Sequence, residues 1–313
     1  MPPALHLPYI GMKNYFEKFL IKLLRACSRM PLQLLYLISD LCCPVVYFVV
    51  RYRRKVVRKN LVTSFPDASP KRIRQIERRF YRFFCDYAFE TLKLLTVSHE
   101  EIMRRMSFEG IEDLERDLKD HPFVFVYLGH YGNWEWISTL PIWTKNPETH
   151  CAQLYRPLND RLFDGLFNDL RTRFGAENIP KYDALRRVLT LRREGKRSII
   201  GFISDQKPGE SNTHDWVNFL NHDTPVLTGT ERIAKKVNAA VYFADVTRPH
   251  RGYYRCVMRR MTDRPQDFPD YKLTEAYMKE LEGMIRRAPH LWLWSHNRWK
   301  HERKNDFRKH VDE

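Results

Sequence analysis

The run Phe123-Val-Phe-Val-Tyr-Leu128, followed by Gly129-His130-Tyr131-Gly132-Asn133-Trp134-Glu135, constrains this chain more than any other stretch. Six consecutive apolar residues, rich in β-branched and aromatic types and bounded by Pro122 and Gly129, predict a short strand buried on both faces, as in a parallel sheet covered by helices. Gly129 and Gly132 allow a tight turn around His130, and Asn133 suits the N-cap of a helix starting at Trp134. That order of strand, turn and helix puts His130 at the carboxyl edge of the sheet, where open α/β folds keep their sites. Glu135 follows five residues on, within reach of the imidazole. A carboxylate there would keep one ring nitrogen protonated, leave the other as acceptor and stabilise an imidazolium. The same residues also read as a turn histidine and a favourable acid at a helix N-terminus, and the local sequence alone leaves the two readings even. A metal site is disfavoured, because HxxxxE is not a helical ligand spacing and no third ligand is evident.

Around this centre helical and strand patterns alternate. Ser69-Pro70 opens a helix to about Thr96 on Ile73, Ile76, Phe80, Phe83, Phe84, Tyr87 and Leu94, whose aromatics read as core. Further helices are expected near Ser98 and over 111–119. Beyond the central strand the patterns predict strands at 151–155, 198–203, 240–246 and 253–258. Helices are expected at 161–174, 183–193, 229–237 and 272–287, with 207–216 a turn-rich loop. The class is α/β, a mostly parallel central sheet flanked by helices.

The first sixty residues differ in character. Residues 12 to 29 set Phe16, Phe19, Leu20, Leu23 and Leu24 on helical spacing amid Lys13, Lys18, Lys22, Arg25 and Arg29, a basic amphipathic helix of the kind that lies on a membrane. Residues 31–50 are long enough to span a bilayer, but Asp40 and Pro44 interrupt the run. A kinked interfacial segment or a buried core helix are the other readings. Arg51, Arg53, Arg54, Lys55, Arg58 and Lys59 follow at once, a cluster that marks the cytoplasmic side and attracts anionic headgroups. No small-residue cleavage site follows the apolar run, so 1–60 reads as a retained membrane-associating segment and 61–313 as an α/β domain in the cytoplasm.

Lys and Arg total 54 against 38 Asp and Glu, a formal net charge of +16, which predicts an anionic partner: nucleic acid, anionic lipid or an acidic carrier protein. The positive charge is spread over many helices and is densest beside the apolar run, without a nucleic-acid motif, which argues against nucleic acid. Six cysteines without CxxC spacing read as reduced thiols. Serine hydrolysis, nucleotide binding and hydride transfer lack their marks, since there is no GxSxG, P-loop or GxGxxG.

Five motifs stand in order along most of the chain: His130-x4-Glu135 within Gly-His-Tyr-Gly-Asn-Trp-Glu, Tyr155-Arg156-Pro157-Leu158-Asn159, Asp205-Gln206, Thr228-Gly229, and Trp292-Leu-Trp-Ser-His296-Asn-Arg298-Trp299-Lys300. In this the sequence resembles the lipid A biosynthesis acyltransferases, the Kdo-dependent lauroyl and myristoyl transferases of the HX4(D/E) superfamily. Phe219-Leu220-Asn221 departs from the family's frequent Phe-Phe-Gly. The resemblance implies O-acyl transfer from an acyl carrier protein thioester to a hydroxyl of an anionic lipid A precursor, at the cytoplasmic face of an inner membrane, with no metal or organic cofactor. Transfer to a lyso-phospholipid, aminolipid or glycolipid is the nearest alternative; a nonenzymatic basic membrane-binding protein would not need the dyad.

In that chemistry His130 is the general base and then protonates the departing thiolate, with Glu135 orienting it. Arg156 leaves a strand end and is expected to face the oxyanion, with backbone N–H groups of the glycine-flanked turn as second choice. Asp205 is expected to orient Arg156 or a lysine, and Gln206 to bind substrate or complete a turn. Arg171 and Arg173, near a helix end, suit phosphates. Asn159, His296 and Arg298 complete the expected substrate-binding set, and the tryptophans of the last motif read as structural.

Overall fold

The computed structural model describes residues 9–209 and 213–300, with side chains from residue 17 onward; Lys13, the Phe16 ring and the charged tail after Lys300 lie outside the described residues. The chain opens with α1 (Tyr9–Ser28), α2 (Leu32–Pro44, continued as a π-helix over Val45–Val50), α3 (Arg54–Ser64) and α4 (Pro70–Lys93). After α5 (His99–Arg105) come β1 (Met106–Glu109), α6 (Ile111–Asp120) and β2 (Phe123–Leu128). A 3₁₀ helix (Trp134–Trp143) leads to β3 (His150–Tyr155), α7 (Arg161–Thr172), β4 (Glu177–Pro180), α8 (Ala184–Arg193) and β5 (Ser198–Ile203). The last part holds the β6 (Trp216–Phe219) and β7 (His222–Pro225) hairpin, α9 (Gly229–Val237), β8 (Ala240–His250), β9 (Tyr253–Thr262) and α10 (Lys272–Arg287).

Seven strands form one sheet in the order β1-β9-β8-β2-β5-β3-β4, parallel throughout except for the β8–β9 pair. The central strand is β2, buried at all six positions between β5 and β8, as its unbroken apolar run requires. Local signals work as read: the Ser69 hydroxyl accepts from Arg72 N at 3.2 Å, with Pro70 in the first helical turn, and Ser98 caps α5. The patterns missed β1 and β4, both four residues long at the sheet edges, and the β6–β7 hairpin. They also cut two strands short: β8 runs on to His250, just before a turn where Gly252 has φ +75°, and β9 runs on to Thr262. Phe219-Leu220-Asn221 enters the β6–β7 turn, and Leu220 and Asn221 both take positive φ (52° and 63°). Asn tolerates that conformation better than most residues, so the turn forms without glycine.

The helix expected after Asn133 is a 3₁₀ helix. Asn133 Oδ1 caps Trp136 N, and the hydroxyls of Ser138 and Thr139 bond the carbonyls three residues back, at 2.6 and 2.7 Å, which draws the turns tight.

The boundary expected at residue 60 falls inside α3, and the N-terminal helices share the core of the rest. Leu32, Leu35, Tyr47, Val57 and Leu61 belong to the main hydrophobic cluster. Polar contacts fasten α2 as well: Tyr36 Oη donates to Glu90 (2.9 Å), Ser39 Oγ to Asp86 (2.8 Å), and Arg251 holds both oxygens of Asp40. Asp40, the flaw in a bilayer span, thus has a cation of its own. Leu32–Val50 is long and apolar enough to cross a membrane, yet one side of it packs on protein while Leu37, Leu41, Phe48 and Val49 stand exposed on the other (57–75%).

Candidate active site

Leu128 and Ile203 are in register as the last paired residues of β2 and β5. Each strand then turns, and the side chains two residues further on, His130 and Asp205, meet. His130 Nδ1 lies 2.6 Å from Asp205 Oδ1; the other oxygen accepts from His130 N and from Trp292 Nε1, both at 2.8 Å. Asp205 is 2% exposed. Burial pushes its carboxyl up, but the charge and hydrogen bond of His130, the Trp292 indole and the His130 backbone N–H outweigh burial and hold it at about 2. An ionised Asp205 fixes the proton on Nδ1, so Nε2 carries the lone pair. Gln206 Nε2 donates to that nitrogen at 3.2 Å.

The turn itself is clamped. Gly132 N bonds Leu291 O (2.9 Å) and Leu293 N bonds His130 O (3.0 Å), so the tryptophan-rich segment runs beside it. Gly132 takes φ +59°, which favours glycine, and a Cβ on Gly129 would lie 2.6 Å from Leu281 Cδ1, so that side chain would have to move. Asn133 Nδ2 donates to Glu90 (2.9 Å), which also accepts from Tyr254 and from Tyr36 of α2.

Glu135 does not orient His130. Its carboxylate takes a two-pronged pair from Arg171, Nε and Nη2 each at 2.7 Å, with Tyr87 Oη at 3.5 Å. The tight 3₁₀ turn carries Glu135 toward α7, and the end of β5 has already filled the Nδ1 position. Asp205 therefore does what was expected of Glu135, and does not orient Arg156 or a lysine. Arg171 is a partner of Glu135 at the cavity wall. The backbone N–H groups of His130, Tyr131 and Gly132 are all engaged, by Asp205, Gly129 O and Leu291 O, which removes the turn as an oxyanion hole.

The other expected residues scatter. Arg156 is exposed and lines the cavity, and Gln206 stands against the base. Asn159 is exposed outside the cavity lining, and Arg173 donates to Leu94 O at 2.8 Å. Arg298 is 1% exposed, gives Nη2 to Pro225 O at 2.6 Å and does not line the cavity, so it is a buried structural cation. His296 is half-buried; burial, with the cations Arg298 and Lys207 acting against Asp205, pushes its ring down to about 4 and keeps it neutral near pH 7. Trp292 and Trp294 are buried, as a structural reading requires, but Trp292 also holds the Asp205 carboxylate. Tyr87, read as core, touches Glu135 and stacks on Trp134 at 4.1 Å. Among the described residues no group of His, Cys, Asp or Glu side chains is placed to hold a metal ion.

A cavity of about 620 Å³ begins at this pair. Exposed Arg156, Lys181 and Arg232 stand at its rim. Its buried depth runs over the face of the sheet carrying Val126, Cys151 and Ile199, beneath Ile137 and Leu140 of the 3₁₀ helix. A base whose lone pair faces only the Gln206 amide, at the head of a cavity with an apolar depth, suits removal of a proton from a hydroxyl beside a bound apolar chain.

The model of the family described as bacterial lipid A biosynthesis acyltransferase matches residues 8–301. The chain is 24% identical over 254 residues to the lipid A biosynthesis palmitoleoyltransferase of Escherichia coli (strain K12), covering 80% of each. It has the same identity and coverage with the lipid A biosynthesis acyltransferase of Shigella flexneri.

Proposed function

We propose a mechanism on the premise of kinship: the chain belongs to the bacterial lipid A biosynthesis acyltransferase family and is an acyltransferase of lipid A assembly. The donor is a fatty acyl thioester of acyl carrier protein and the acceptor a hydroxyl of an anionic lipid A precursor. His130 Nε2 takes the hydroxyl proton as the oxygen attacks the thioester carbonyl, and Asp205 stabilises the imidazolium that forms. Collapse of the tetrahedral intermediate breaks the C–S bond, and His130 returns the proton to the thiolate. The Gln206 amide occupies the place at Nε2 that the acceptor hydroxyl takes. Arg156, at the rim, supplies positive charge to the carbonyl oxygen, a role left open by the engaged turn amides.

The observation that carries this reading is the His130–Asp205 pair at the head of an apolar cavity. The exposed apolar side of Leu32–Val50, followed by Arg51, Arg53 and Lys55, favours a helix lying in the cytoplasmic face of an inner membrane, where the acceptor resides. An acidic carrier and a phosphorylated acceptor both complement the charge of +16. The test is mass spectrometry of a lipid A precursor after incubation with the purified protein and acyl carrier protein thioesters. A product heavier by one acyl chain, absent with His130→Ala, is expected. An unchanged precursor alongside acylation of a lyso-phospholipid would overturn the acceptor.

A further inference from the structure

Gly201 sits in the middle of β5, paired on one side with Val126 of β2 and on the other with Gln153 of β3. Its φ is not in the left-handed region, so the backbone does not call for glycine. Glycine inside a strand weakens it, and usually marks a place where something else comes close. A Cβ here would meet Leu128 Cδ1 at 3.1 Å and otherwise nothing nearer than 3.9 Å. The space above Gly201 belongs to the cavity, which it lines together with Ile199 and Ile203. Strand alternation puts these three on one face. At a rise of about 3.3 Å per residue they form successive levels about 7 Å apart, descending from the end of the strand that carries Asp205.

We propose that Gly201 sets the acyl chain length this enzyme accepts, an inference that rests on the acyl-transfer reading of the same cavity. The missing side chain opens the passage between the level of Ile203, beside the reacting pair, and the level of Ile199 and Cys151 below. A branched side chain at 201 closes that passage and leaves only the upper level for the chain. Removing the Ile199 side chain enlarges the lower level and admits a longer chain.

The test is a competition in one vessel: detergent-solubilised full-length enzyme, a lipid A precursor, and equal amounts of decanoyl, lauroyl, myristoyl and palmitoyl acyl carrier protein, with products resolved by mass. Because the readout is a ratio within one reaction, it is insensitive to how much enzyme is folded. Gly201→Val is expected to lower the ratio of the longest to the shortest product at least about tenfold, on the scale at which methylenes are sorted in apolar pockets. Gly201→Ala should move it less, in the same direction, and Ile199→Ala in the opposite one. Should valine abolish transfer, the alanine variant decides. Unchanged ratios in the Gly201 variants, or a shift toward shorter chains in Ile199→Ala, would overturn the assignment. Wild-type enzyme that transfers none of the four chains would overturn the acyl-transfer reading, and this inference with it.

Discussion

Asp205 Oδ1 lies 2.6 Å from His130 Nδ1, across two adjacent parallel strands. The carboxylate has no freedom to serve anything else: its second oxygen is held by the His130 N–H and the Trp292 indole. The imidazole is thereby fixed in tautomer and orientation before any substrate arrives, which is what a general base at a strand edge requires.

The first prediction separates the two acidic residues. Asp205→Asn should lower turnover by about 10⁴-fold, as loss of an orienting carboxylate does elsewhere. Thermal stability should change far less than turnover. Glu135→Ala should do the reverse: it leaves the Arg171 guanidinium, 20% exposed, without its partner and should cost about 3 kcal/mol of stability. Calorimetry and steady-state turnover on both variants check this. Equal losses of turnover with equal Tm would defeat it.

Acid should expose the same pair. The Asp205 carboxyl is held at about 2 against an ordinary 3.8. A depressed folded-state value means that the unfolded chain binds more protons between those limits. The contribution, about 2 kcal/mol, is therefore complete above pH 4 and lost as the pH falls toward 2. The Tm of Asp205→Asn should fall less steeply than that of wild type across that window. Parallel Tm curves would refute it.

Transfer should be direct, with no acyl-enzyme. Cys151 lines the cavity, but burial pushes its thiol up to about 12, so it is not a thiolate at neutral pH. Cys151→Ala should keep turnover within about threefold, because it removes no reacting group. Intact-protein mass spectrometry with donor and no acceptor should show no adduct. A stoichiometric adduct that acceptor discharges would overturn the direct mechanism.

Membrane contact should depend on the exposed side of Leu32–Val50. Leu37→Glu and Leu41→Glu alter side chains 61% and 75% exposed, so Tm should hold. Each should weaken sedimentation with anionic vesicles by about tenfold or more, from the lost burial of a leucine in lipid. Wild-type binding in the double variant would rule out this surface. Deleting 12–59 is a poorer experiment, because it strips Leu35, Tyr47 and Val57 from the core and leaves Glu77 buried without Arg54 and Arg58.

Much of this was legible locally. The β2 run, the turn around His130, the Ser69 and Ser98 caps and the span of α10 follow from neighbours in sequence. The partner of His130 was not. Glu135 is the acid nearest His130 in sequence, whereas Asp205 is near because β5 lies beside β2, and the order of strands is set by helical crossovers that no local pattern records. Had that adjacency been known, the equal offset of His130 and Asp205 past Leu128 and Ile203 would have named the pair. Arg298 and Trp292 misled for a similar reason: a cation and an indole beside a motif do not reveal which of them reaches the site.

The bonds from Leu291 and Leu293 to the His130 turn have a consequence for biosynthesis. A ribosome adds about 5–20 residues per second, so roughly ten to thirty seconds separate translation of the His130 turn from that of the segment that clamps it. Until that segment exists, Gly132 N, His130 O and the second oxygen of Asp205 lack the partners that hold them. The geometry of the pair is therefore completed only once the chain has been made as far as Leu293, well after both strands that carry it.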